Sequence, residues 1–129
     1  MLQALARARL EDAVVLLRAA ELQKAPQRRV GAIYLAGYAV ECALKARICF
    51  EKSLPALPRD LWEHNLRFLS ERTRRGRQML QEQGIMASFR HVESVWTTAL
   101  RYRLPSIPAQ EAWRFWERAQ EVTRWLFSE

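Results

Sequence analysis

A chain of 129 residues that is 50% hydrophobic, with five Trp and five Phe, is apolar enough to build one core and is no disordered linker. No apolar run reaches the ~20 residues needed to span a bilayer, and the net charge of +7 rests on 18 Arg against 3 Lys, a bias that suits RNA phosphate recognition or a GC-rich genome equally. Cys42 and Cys49 fall roughly 10 Å apart along one expected helix and cannot pair, and two His without a C-x-x-C motif argue against a zinc site.

Leu10, Ala13, Val14, Leu17 and Ala20 repeat at helical spacing until Lys24-Ala25-Pro26, which predicts a first helix over 2–23. The second runs over 27–51. It is apolar nearly all round, through Val30, Ile33, Leu35, Val40, Leu44, Ile48 and Phe50, and is the expected centre of a bundle. Ser53 to Pro58 breaks it, and Pro58 opens a third helix whose Trp62, Leu66, Leu69, Thr73, Gly76 and Leu80 share a core face until Gly84. Leu61, His64 and Phe68 form a second stripe on that helix. A fourth helix is expected over 88–101, a loop over 102–108 and a fifth helix over 108–127, with Ala112, Phe115, Ala119, Val122 and Leu126 inward. No strand pattern or internal repeat appears. The expected fold is all-α, a single domain forming an up-and-down antiparallel bundle of four to five helices.

On the second helix Tyr34, Tyr38, Glu41 and Lys45 fall within about 60° of one another. Two readings stand. Glu41 and Lys45 are an ordinary i,i+4 ion pair and the tyrosines are core rings with wet hydroxyls. Alternatively Glu41 is buried and paired with Arg101 from another helix, shaping a polar cleft with Tyr38, Lys45 and Tyr102. Glu51, at the end of the same helix, is expected to be a solvated carboxylate.

The stretch YLAGYAVECALKA over 34–46 resembles the helix Y-L-A-G-Y-x-x-E-x-x-L-K-A of HEPN-domain proteins, small helical bundles that bind nucleotides or cut RNA. His64-Asn65-Leu66 is similar to the family's His-Asp-Leu segment, with Asn in the Asp position. Trp96 with Arg101-Tyr102 is similar to a Trp-x4-Arg-Tyr element of some members. The likeness implies the same helical architecture and a site formed where two subunits face each other. Arg59 and His64 fit the Arg-x4-6-His pattern of HEPN ribonucleases. As catalytic residues they need no metal and no cofactor: His64 is general base or acid, and Arg59 stabilises the charge on the phosphorane. The bland alternative makes Arg59 a solvated first-turn residue and His64 a surface histidine beside Glu63.

Arg67, Arg74, Arg75 and Arg77 form the densest positive stretch, a solvated face or an RNA-binding ramp. Trp113 and Trp125 edge the last helix, for base stacking or for a second hydrophobic contact. The resemblance implies two functions: an RNA-cutting toxin or defence protein held by a nucleotidyltransferase-type antitoxin, or a non-catalytic nucleotide-binding or partner module of such an enzyme. Some toxins of the family carry Arg-x4-His-x-Tyr with a Tyr that the antitoxin modifies. Leu66 occupies that position, which excludes adenylylation there. The expected assembly is a homodimer, with no membrane partner. The N-terminus carries Arg7 and Arg9 in a helical pattern without a cleavage site, so the expected location is the cytoplasm.

Overall fold

The computed structural model describes residues 1–103 and 107–128, the side chains of 98, 99 and 101 excepted. Among the described residues six α-helices follow in order: α1 (Leu2–Leu22), α2 (Arg28–Glu51), α3 (Leu66–Ser70), α4 (Arg74–Met79), α5 (Gln83–Val95) and α6 (Ala109–Phe127). Short 3-10 turns cover Arg59–Leu61 and Thr98–Arg103, and no strand occurs among the described residues. This is the expected all-α bundle. No described helix is long and apolar enough to cross a membrane.

Small residues bring the long helices together. α1 buries Ala6, Leu10, Ala13, Leu17 and Ala20 along one stripe, α2 buries Ala32, Ala36, Ala39 and Ala43, and the two helices pack on each other. Alanine at these points lets the backbones approach closely, and each methyl withdrawn from water adds to the core without any rotamer cost. α6 packs against both, and α5 packs on α6. Phe89 from α5 and Phe115 from α6 fill the space between these helices at 0% exposure. Both α1 and α2 end on a left-handed residue, Lys24 and Ser53, with the next amide reaching back five residues to Ala20 and Cys49. That is the Schellman stop, here made without the usual glycine.

The region 58–84 departs from the single helix that its spacing predicts. It starts four times, each time after an extended residue: Pro58, Asn65, Thr73 and Glu82. Asn65 Oδ1 accepts from the Phe68 amide at 2.9 Å, and Glu63 Oε1 accepts from the amides of His64 and Asn65. These side chains compete with the helical ladder for the backbone and win it. Leu66, Leu69 and Thr73 are buried as expected, but Trp62 is 67% exposed, and Leu61 and His64 share no helical stripe. Gly76 lets α4 turn back on α3, for a Cβ there would stand 2.2 Å from the Ser70 carbonyl oxygen. Gly84 lies in the first turn of α5, which starts earlier than expected and stops at Val95. Phe50 is exposed rather than in the core.

Candidate functional site

Glu41 sits in the middle of α2 with 1% exposure, and both of its oxygens are engaged. Lys45 Nζ donates to Oε2 at 2.9 Å, one turn on. His64 Nδ1 lies 2.9 Å from Oε1, from the extended stretch before α3. A carboxylate so deeply buried requires such partners. The imidazole itself is open, with its side chain 82% exposed. Asn65 caps α3 and Leu66 enters the core, so the His-Asn-Leu triplet holds the ring where its backbone cannot slide.

Trp96, just past α5, closes the opposite side. Its Nε1 donates to the Tyr34 carbonyl at 3.1 Å, and its ring tilts against Tyr34 with centroids 6.1 Å apart. Gly37 makes this seat: a Cβ there would stand 2.3 Å from Trp96 Cδ1. Between these groups lies a cleft of about 480 Å³, lined by Tyr34, Tyr38, Glu41, His64, Asn65 and Trp96 over Val30, Thr97 and Leu100. Its volume is that of ligand sites in general.

Tyr38 in the cleft lining and Cys42 beside it are both muted. The Cys42 thiol is pushed up by burial, which keeps it protonated and unreactive. The Tyr38 hydroxyl is also raised, chiefly by Cys42 beside it and then by its own burial. Neither is set up as a nucleophile. No group of three His, Cys, Asp or Glu among the described residues is arranged to hold a metal.

Arg59 is exposed in its 3-10 turn, with Cζ 5.9 Å from the Trp62 ring centre, and is not among the residues lining the cleft. The Arg101 side chain lies outside the described residues. The described partners of Glu41 are Lys45 and His64. Tyr102 is 83% exposed and away from the cleft lining.

The arginine ramp divides. Arg67 makes a two-pronged pair with Glu93 at 2.8 and 2.9 Å, tying α3 to α5. Arg75 donates to the Trp125 carbonyl at 2.8 and 3.1 Å and lies 3.5 Å from the Trp125 ring centre, tying α4 to the end of α6. Arg74 and Arg77 face solvent, Arg77 donating to the Glu71 carbonyl. Trp113 donates to Glu21, so its indole is a clasp between α6 and α1.

Glu51 is not the solvated residue expected. Its side chain is 16% exposed and accepts from Thr73 Oγ1 at 2.6 Å, from the Arg74 and Arg75 amides at 2.7 and 3.1 Å, and from Arg47 at 3.3 Å. A carboxylate from α2 thus caps the first amides of α4. Burial pushes its pKa up, but these hydrogen bonds outweigh burial and hold it below the usual range.

Sequence reasoning singled out both Glu41 and His64 without joining them, since they lie 23 residues apart. Comparison of the chain with profiles of known families, with curated proteins and with solved structures finds no match in any of the three.

Proposed function

We propose that the chain is a metal-independent endoribonuclease of the HEPN kind that its α2 sequence resembles, with His64 and Glu41 as its acid-base pair. The observation that carries this reading is an open imidazole anchored at Nδ1 by a buried carboxylate 2.9 Å away. An ionised carboxylate only accepts, so Nδ1 carries a proton, and in the neutral imidazole that acts as base Nε2 keeps its lone pair. Nε2 then takes the proton of a ribose 2′-hydroxyl, and the 2′-oxygen attacks the adjacent phosphorus. The bond to the 5′-oxygen breaks and that oxygen leaves with a proton from solvent, to which Nε2 afterwards returns its own, giving a 2′,3′-cyclic phosphate and a 5′-hydroxyl end. Arg59 supplies positive charge to the phosphorane. Arg59 does not line the cleft, and on this reading a second copy supplies it, as in the HEPN ribonucleases whose sites face across two subunits. A nucleotidyltransferase-type antitoxin is the controlling partner implied by that class.

An end-labelled RNA oligonucleotide incubated with the purified protein in EDTA tests this. Wild type yields cyclic-phosphate ends, His64→Ala abolishes cutting, and Arg59→Ala lowers it by about two orders of magnitude or more, the range of an electrostatic contribution. Arg77→Ala weakens RNA binding in a salt-dependent way and leaves the chemistry intact. Cutting that survives His64→Ala, or that EDTA stops, removes the assignment.

A second reading is favoured by the absence of Arg59 from the cleft lining and by the three rings, Tyr34, Tyr38 and Trp96, present in it. It makes the cleft a nucleotide-binding module without catalysis. Equilibrium dialysis with ATP, with binding lost in Trp96→Ala and no RNA cut by any variant, selects it.

A further inference from the structure

α1 and α6 run antiparallel: Trp113, at the start of α6, reaches Glu21 near the end of α1, and Trp116 Nε1 donates to the Leu10 carbonyl at 2.9 Å. Between them lies a groove of about 640 Å³ that shares no residue with the His64 cleft. Its α1 wall extends from Arg7 to Arg18, about 16 Å or three turns of helix. The α6 wall extends from Trp116 to Ser128, just past the helix end. The floor is apolar, with Leu10, Val14, Trp116 and Phe127, and Val15 stands 66% exposed at its edge. No described residue of another element lines it.

The rim is cationic. Arg7, Arg18 and Arg124 are exposed, and their side chains have no ion-pair or hydrogen-bond partner among the described residues, unlike Arg67, held by Glu93, and Arg75, held by the Trp125 carbonyl. Glu11 is the single carboxylate in the lining. Thr123, 2% exposed with its Oγ1 unpartnered, adds an unsatisfied hydroxyl to the wall.

We propose that this groove is the docking site for an acidic amphipathic helix of a partner protein. Two helices side by side present a trough into which a third lays apolar side chains at i, i+3 or i+4, and i+7. Its carboxylates then flank the seam and meet Arg7 and Arg124 on one side of the trough's middle and Arg18 on the other, giving charge complementarity along three turns. Single-stranded RNA fits less well. It would meet the rim charges, but the ring best placed to stack a base, Trp116, is fixed by its bond to Leu10 and packs edge-on to Trp113 at 6.1 Å.

The test uses a fluorescein-labelled peptide of about 14 residues, four turns of helix, with Leu on one face and Glu on the flanks, titrated with the full chain and followed by anisotropy. Saturable binding is expected, weakened about tenfold or more by Val15→Glu and by Arg18→Glu, with helicity by circular dichroism unchanged. Arg90→Glu, the same charge change on exposed α5, leaves affinity within about threefold. Amide shifts confined to 7–18 and 116–128 support the assignment. No binding, equal weakening by Arg90→Glu, or displacement of the peptide by an oligouridylate overturns it.

Discussion

At the residue scale, Gly37 and Glu41 explain why a buried helix carries a polar line. Glycine in a helix interior costs about 0.5–1 kcal/mol relative to alanine, yet Gly37 is where the Trp96 indole lies on the backbone. Gly37→Ala is expected to expel that ring, break its bond to Tyr34 and destabilise the fold. Gly31→Ala meets only the tip of Leu16 at 3.3 Å and is expected to be neutral or stabilising by up to ~1 kcal/mol. Thermal unfolding of the two variants gives opposite signs if Trp96 is seated as described, and equal small effects would contradict that seat. Glu41→Ala leaves Lys45, 12% exposed, without its anion, and breaking a buried pair costs about 3–5 kcal/mol. A fall in Tm of about 10 °C or more follows for a chain of this size. Glu117→Ala, on an exposed carboxylate, should shift it by a degree or two.

At the element scale, α4 has six residues and is too short to hold itself. Glu51 holds it. The folded-state pKa of Glu51 lies below its unfolded value, so its stabilisation is complete above the unfolded pKa and is lost as pH falls from there through the folded one. Glu51→Gln is therefore expected to cost about 2 kcal/mol near neutral pH, the worth of hydrogen bonds to a charged group. The gap between variant and wild type should close as pH drops below about 4.5. Urea unfolding at pH 7, 5, 4 and 3 checks this, and a gap that does not vary with pH would show that the carboxylate charge is immaterial. His91 acts in a higher window. Its imidazole is held below the usual value by burial and by Arg118 and Arg114, so stability is lost as pH falls through the ordinary His range. That loss is common to both proteins and cancels.

At the scale of the whole molecule, the long helices were legible because their period, 3.6 residues, is written directly in Leu10, Ala13 and Leu17 of α1 and in Phe115, Ala119, Val122 and Leu126 of α6. The segment between α2 and α5 was not, since Trp62, Leu66 and Leu69 keep helical spacing while the Asn65 cap and the extended Thr73, bonded to Glu51, interrupt the helix in ways that the periodicity does not weigh. The cleft was half legible. The α2 line showed its floor, but which distant residue answers Glu41 depends on how an extended stretch folds back, and the partner described there is His64. Assembly is tested at this scale. Arg59 stacks beside an exposed Trp62 and does not line the cleft, so the proposed site, if a second chain completes it, is expected to have Trp62 in the contact. Light scattering at micromolar concentration should then give about 30 kDa, twice the 15.2 kDa of one chain. Trp62→Glu should halve that mass and abolish RNA cutting together, while circular dichroism stays unchanged because an exposed ring contributes little to the fold. A wild-type mass near 15 kDa with RNA still cut would place the whole chemistry on His64, Glu41 and Lys45 of one chain; the same mass with no cutting would leave the cleft as a nucleotide site.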